Sequence, residues 1–104
     1  MSKVEFIPEE KELFIAAAKD GVFNIITIDQ LPGPFVRVGK KNYLVQSDPA
    51  FAAKYLEAYK TLCEEGYIDE KSDTYAVLTG SGFKKARELA EEKLKAIPPQ
   101  DEAN

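Results

Sequence analysis

The chain has 104 residues, a length that fits one folded domain with one core. Its hydrophobic fraction of 44% and charged fraction of 31% are those of an ordinary globular domain, and no apolar run approaches the ~20 residues of a membrane-spanning helix. The formal net charge of -4 disfavours polyanion binding by the chain as a whole.

The sequence lacks residue types that most hydrolytic and zinc chemistry requires. It has no histidine and one cysteine, Cys63, so the usual zinc ligand sets and an imidazole-activated nucleophile are both excluded. We therefore expect a protein that is not an enzyme and that holds no metal and no cofactor. The first residues show no basic stretch followed by a long apolar one, which predicts a cytoplasmic location without membrane contact.

The first third of the chain predicts a helix followed by a small β meander. Pro8 at a first helical position and Gly21 at a left-handed stop predict a helix over residues 8–20. The β-branched and aromatic residues of "VFNIITI" predict a strand over 22–29, which "LPGP" ends. Two further short strands are predicted over 35–38 and 42–46.

The rest of the chain predicts a helix, a hairpin and a second helix. Ser47 or Asp48 can cap an amphipathic helix over 48–65, and Gly66 ends it. Residues 67–78 alternate as a hairpin with a polar tip, and Thr79 caps a last helix over 80–97. We therefore predict one domain over 1–97 and a short acidic tail over 98–104.

The element order resembles the winged-helix superfamily, and in particular small uncharacterised prokaryotic winged-helix-like domains. Leu62, Gly66, Tyr67 and Ile68 form a Leu-x-x-x-Gly-aromatic-Ile run at the end of the long helix. A second run, Leu-Thr-x-x-Gly with Ala four residues later, ends the second strand of the hairpin; its residues are Leu78, Thr79, Gly82 and Ala86. The resemblance implies an α+β fold of three main helices, a small antiparallel sheet and a C-terminal wing hairpin. One departure stands out: residues 29–46 have the pattern of turn and strand where winged-helix proteins usually have a short helix.

The resemblance also implies DNA binding as one hypothesis. Charge is unevenly distributed, with five basic against two acidic side chains over residues 35–60 and five acidic against one basic over 61–79. An acidic hairpin would be repelled by phosphate, which disfavours this hypothesis. The candidate nucleic-acid contacts are Arg37, Lys40, Lys41, Tyr43, Lys54 and Lys60.

A second hypothesis is a contact with another protein or with a second copy of the chain as a homodimer. The apolar, proline-stiffened loop "LPGPF" carries no charge and is typical either of a partner contact or of a packed corner. Its candidate contact residues are Leu31, Pro32, Pro34 and Phe35. We prefer this hypothesis and predict a non-enzymatic, winged-helix-like binding module, with a small DNA-binding regulator as the alternative.

The segment "TGSGFKK" is weakly similar to a phosphate-binding glycine loop. It lacks the Gly-Lys-Ser/Thr of such loops, and capping of the last helix explains the same residues.

Overall fold

Three helices and five strands form along the described chain, which in this computed structural model comprises residues 6–29, 33–45 and 47–96, with side chains through residue 93. In chain order the elements are α1 (Pro8–Ala17), β1 (Val22–Ile26), β2 (Phe35–Val38), β3 (Lys41–Asn42), α2 (Pro49–Glu64), β4 (Ile68–Ser72), β5 (Tyr75–Leu78) and α3 (Gly80–Ala96). The predicted α+β class, with three helices and an antiparallel sheet, is confirmed.

Local hydrogen bonds set where the helices begin. The Ile7 backbone N–H donates to the Glu10 carboxylate at 3.1 Å, and the Asp48 carboxylate accepts from the Ala50 N–H at 3.2 Å. The Thr79 hydroxyl oxygen accepts from the Gly82 N–H at 3.1 Å. Each contact satisfies a backbone or first-turn donor that has no partner within the helix, so the predicted starts of all three helices are close to the observed ones.

Several predicted element ends are wrong by a few residues. The first helix stops at Ala17 rather than at residue 20, because residues 18–20 form a turn that leads to Gly21 with a φ of 72°. The first strand ends at Ile26 instead of 29. The third strand is Lys41–Asn42 and not 42–46, because the Leu44 N–H bonds back to the Asn42 carbonyl at 2.9 Å and turns the chain; Gln46 lies outside the described residues.

The later elements differ less from their predicted ranges. The long helix covers 49–64 instead of 48–65, and the hairpin strands begin at Ile68 and end at Leu78. The last helix is described to Ala96, so residue 97 and the predicted tail over 98–104 lie outside the described residues.

The five strands form one antiparallel sheet in the order β3-β2-β1-β5-β4. On one side of β1, Asn24 pairs with Arg37; on the other side, the same residue pairs with Tyr75. The meander and the hairpin, which the sequence predicts as separate units, are therefore joined through β1.

One face of this sheet, the inner face, packs against the helices. Alternation along the strands places Phe23, Val36, Val38, Ile68, Ala76 and Leu78 on it, and all six belong to the main core. The helices contribute Leu13, Phe14, Ala17, Ala58, Tyr59, Leu62, Ala86 and Leu89 to the same core. The sheet is therefore covered by helices on its inner side.

An aromatic cluster ties the start of the described chain to the turn between α2 and β4. Phe6, Phe14 and Tyr67 meet pairwise edge to face, with ring centroids 5.2 to 5.6 Å apart. This geometry is favourable for aromatic rings and stabilises the fold beyond the contribution of their buried area.

The connection from β1 to α2 contains β2 and β3 and no helix among its described residues. The sequence predicts turn and strand here, where winged-helix proteins usually have a short helix. The described part of this connection agrees with that prediction.

We expect Gly82→Ala to lower the free energy of unfolding by about 1–3 kcal/mol, although alanine is the better helix former. A Cβ at Gly82 would collide with the Tyr67 backbone oxygen, which is held in place because the Thr79 N–H donates to it at 3.0 Å. Urea unfolding measures the change.

Gly80→Ala is the matched control, because nothing lies within 4 Å of a Cβ built there in the same first turn of α3. We expect it to leave stability unchanged or raise it by up to about 1 kcal/mol. Equal stability of the two variants would show that close packing at Gly82 is not needed.

Candidate interaction face

The second face of the sheet, which we call the outer face, contributes nothing to the main core. Pairing and alternation place these described residues on it: Val22, Asn24, Ile26, Phe35, Arg37, Asn42, Asp69, Tyr75 and Val77. Tyr75 is 41% exposed, and Ile28, two residues beyond Ile26, is 39% exposed. Ile28 follows the end of β1, so among the described residues Tyr75 is the large side chain that this face exposes most. A sheet face with an exposed aromatic ring is a candidate contact surface.

A row of hydrogen-bonding side chains crosses the middle of the outer face. It runs over four neighbouring strands and consists of Asn42, Arg37, Asn24 and Tyr75, which we call the polar row. At the ~4.8 Å spacing of neighbouring strands, the row is about 14 Å long.

Apolar pairs lie on both sides of the polar row. Val22 faces Val77 on one side, and Ile26 faces Phe35 on the other. Phe35 is 2% exposed, so the outer face offers hydrogen bonds along its centre and apolar contacts from the partly exposed Val22, Val77 and Ile26.

Sequence reasoning placed Arg37 among the candidate contacts but missed the other members of the polar row. The signal was present in "VFNII", where Asn24 alternates with the buried Phe23 and the core-packed Ile25. Such alternation predicts a strand with two different faces.

The structure does not bring the six candidate nucleic-acid contacts onto one surface. Arg37 is on the outer face, Lys40 lies in the β2–β3 turn, and Lys60 is exposed on α2. Tyr43 is 1% exposed, so the ring face that stacking on a base requires is not available.

Two of the candidate lysines are paired with carboxylates of α1. Lys41 Nζ lies 3.1 Å from Glu12, and Lys54 Nζ lies 3.9 Å from Glu9. The basic middle of the sequence is therefore partly neutralised by the acidic start of α1. Glu9 and Glu12 are three residues apart and therefore lie on one side of the predicted helix. This spacing indicates an acidic helix face that could pair with lysines, and sequence reasoning did not use it.

The four candidate protein contacts of the "LPGPF" loop have different outcomes. Leu31 and Pro32 lie outside the described residues, Pro34 is partly exposed, and Phe35 is 2% exposed. Phe35 is thus already covered in the isolated chain.

The acidic hairpin uses two of its carboxylates internally. Asp69 is 2.8 Å from Lys71, and the Tyr59 hydroxyl donates to Glu70 at 3.2 Å. Glu70 therefore ties β4 to α2 across the edge of the sheet.

Buried tyrosines connect the helices to the edges of the sheet. The Tyr43 hydroxyl donates to Glu12 at 3.0 Å, and its ring stacks on Tyr55 with centroids 4.6 Å apart. Burial raises the pKa of Tyr43, and the neighbouring Glu12 carboxylate raises it further. Burial likewise raises the pKa of Tyr59, where Cys63 and Glu70 add to the effect.

Cys63 does not have the environment of a reactive thiol. Burial raises the pKa of its thiol to about 11, and Glu70, Glu64 and Asp69 also favour the protonated form. A nucleophilic cysteine requires the opposite shift.

A shallow depression of about 230 Å³ lies beside the first turns of α3, lined by Tyr67, Ser81, Lys84, Lys85 and Glu88. Lys85 is paired with Glu88 at 3.1 Å. Because Thr79 already caps this helix, the "TGSGFKK" segment acts as a helix start in the structure.

Across the described part of the chain, no three His, Cys, Asp or Glu side chains come close enough to hold a metal ion. None of the described helices combines the length and apolar character needed to cross a membrane.

Comparison with protein-family models, with curated proteins and with solved structures finds no match to this chain.

We expect the free energy of unfolding to fall as the pH rises above about 9. Cys63 ionises near pH 8.5 and tyrosine near pH 10 in the unfolded chain, whereas the folded protein holds these groups protonated to higher pH. The unfolded state therefore binds fewer protons, and the loss reaches up to about 1.4 kcal/mol per pH unit for each tyrosine. Urea midpoints between pH 8 and 11 measure it.

Tyr43→Phe and Tyr59→Phe isolate the tyrosine contribution, because neither variant can ionise at that position. Each should reduce the slope above pH 10 relative to the unmodified protein. Unchanged slopes would show that these hydroxyls ionise as freely in the folded protein as in the unfolded chain.

Proposed function

We propose that this chain is a non-enzymatic, winged-helix-like binding module that contacts another protein through the outer face of its sheet. The observation that carries the proposal is the two-sided character of the sheet, since helices pack on the inner face while Tyr75 on the outer face is 41% exposed and Val22, Ile26 and Val77 are partly exposed. Interaction surfaces commonly combine exposed aromatic side chains with a few polar groups, and Tyr75 together with the other members of the polar row has this composition.

Pairing at the edges of the sheet is a less suitable mode of contact. β3 is two residues long, and β4 carries Asp69, Glu70 and Lys71. Short, charged edge strands are the usual means by which proteins avoid edge-to-edge association. The exposed face, rather than an edge, is therefore the surface we assign to the partner.

The winged-helix relationship is supported by two motifs with clear structural roles. Gly66 adopts a φ of 86° at the end of α2, and the Thr79 hydroxyl donates to the Gly66 carbonyl at 2.8 Å while capping α3. These contacts fix the hairpin between α2 and α3, which is the position of the wing in a winged-helix protein.

The free thiol of Cys63 fits a reducing compartment, so we place the module in the cytoplasm.

Duplex DNA is a weaker candidate partner for the same module. Lys41 and Lys54 are paired with carboxylates of α1. The hairpin adds further negative charge through Asp69, Glu70 and Asp73. A protein that binds the phosphate backbone needs several unpaired cations together, because affinity comes from the counterions they release.

Selection of short random peptides displayed on phage tests the proposal with the purified domain as bait. We expect enriched peptides whose binding is lost in Tyr75→Asp, because a charge there would replace the exposed aromatic ring of the outer face. Lys60→Asp, on the exposed side of α2, is the matched control and should bind as the unmodified protein does. Circular dichroism establishes that each variant is folded.

Two results would contradict the proposal. One is the absence of any peptide that depends on Tyr75. The other is binding of a random-sequence DNA duplex at low salt that weakens steeply as salt is added.

A further inference from the structure

Arg37 is the unpaired charge among the described residues of the outer face. It lies in the polar row between Asn42 and Asn24, and its Nε donates to the Gly39 carbonyl at 3.1 Å. Among the described residues, no carboxylate lies within ion-pair distance of it. The bond to Gly39 uses one of the five guanidinium donors, so both terminal amino groups of Arg37 are left to bind a ligand.

The other charge among the described residues of the outer face is neutralised. Asp69 on β4 is paired with Lys71 at 2.8 Å. Although the chain carries a net charge of -4, the centre of this face is therefore positive. Charge complementarity then favours a partner with a negative group opposite Arg37.

We propose that the partner is a different protein, which presents a carboxylate flanked by apolar side chains; this inference rests on the function proposed above. The carboxylate accepts hydrogen bonds from the two terminal amino groups of Arg37 in the planar, two-pronged geometry that a guanidinium offers. The flanking apolar side chains pack on the Val22–Val77 pair and beside Ile26 and Tyr75. Arginine and tyrosine at the centre of a contact are the residue types that contribute most to binding free energy.

A second copy of the chain fits this face poorly. In a symmetric dimer the same surface patch supplies both sides of the contact. Of the described residues on the outer face, Asp69 carries the carboxylate, and Lys71 already holds it. Two copies would thus bring two arginines together without an available acidic group between them.

A nucleic acid fits less well than a protein for a related reason. Its backbone brings one negative charge per nucleotide, whereas the described residues of the outer face offer one unpaired cation near apolar side chains. A single carboxylate within an apolar segment matches both the number of charges and the surroundings of Arg37.

Peptides selected against the outer face, recognised by their loss of binding in Tyr75→Asp, test the inference. We expect them to share an Asp or Glu with apolar residues on either side. Fluorescence anisotropy with one such synthetic peptide should show affinity weakened about tenfold to a hundredfold in Arg37→Gln, the range typical of a hydrogen bond to a charged group. Arg37→Lys, which keeps the charge and loses the two-pronged geometry, should bind with an intermediate affinity.

Lys40→Gln is the matched control, because it removes an equal charge three residues away in the exposed β2–β3 turn. It should leave peptide affinity within about twofold, since exposed charges contribute little. In the reciprocal exchange, Arg37→Glu should lose the acidic peptide and gain affinity for the same peptide with Lys in place of its acidic residue.

The outcomes separate this inference from the proposed function. Peptides that need Tyr75 but contain no acidic residue, or that bind Arg37→Gln as well as the unmodified domain, overturn the inference and leave the interaction face in place. Light scattering that shows a dimer dissociated by Tyr75→Asp would assign the face to a second copy and overturn the inference as well. Failure to select any peptide at this face overturns both proposals.

Discussion

The pairing of β1 on both of its sides is the constraint on which the rest of the structure depends. Backbone hydrogen bonds from Leu78 to Gly21, at 2.8 Å, and from Ile25 to Thr74, at 3.0 Å, fix its register with β5. A slip by one residue would exchange the buried Phe23 for the polar Asn24. The same register that buries the core therefore sets the polar row and its apolar neighbours on the opposite face.

Electrostatics in this chain are decided by contacts between segments far apart in sequence. Glu12 bonds both Lys41 and Tyr43, about thirty residues away, and Glu9 pairs with Lys54. The basic middle that suggests a nucleic-acid surface in the sequence is thus partly used to join α1 to β3 and α2. Arg37 differs because it lies on the face away from the helices, where it has no carboxylate partner among the described residues. The centre of the outer face is consequently positive, although the net charge of the chain is negative.

The parts of the fold that depend on neighbouring residues could be predicted from the sequence. Asp48, Gly66, Thr79 and Gly21 cap or end helices through contacts within a few residues, and the helices and the hairpin are found close to their predicted places. The union of meander and hairpin into one sheet, and the burial of Tyr43, result from long-range pairing that local patterns do not encode. For the same reason, Arg37 could be named as a contact residue but its neighbours Asn24 and Tyr75 could not.

Nuclear Overhauser contacts across β1 and β5 test the continuous sheet most directly. The hydrogen bonds at Gly21–Leu78 and Ile25–Thr74 leave Val22–Val77 and Asn24–Tyr75 as pairs that share no backbone hydrogen bond. In such pairs the α-carbons approach most closely, to about 4.5 Å. Strong contacts between the α-protons of each pair are the predicted result. Their absence, with hairpin contacts between β4 and β5 intact, would show that the hairpin stands apart from β1, and the outer face with its polar row would not exist.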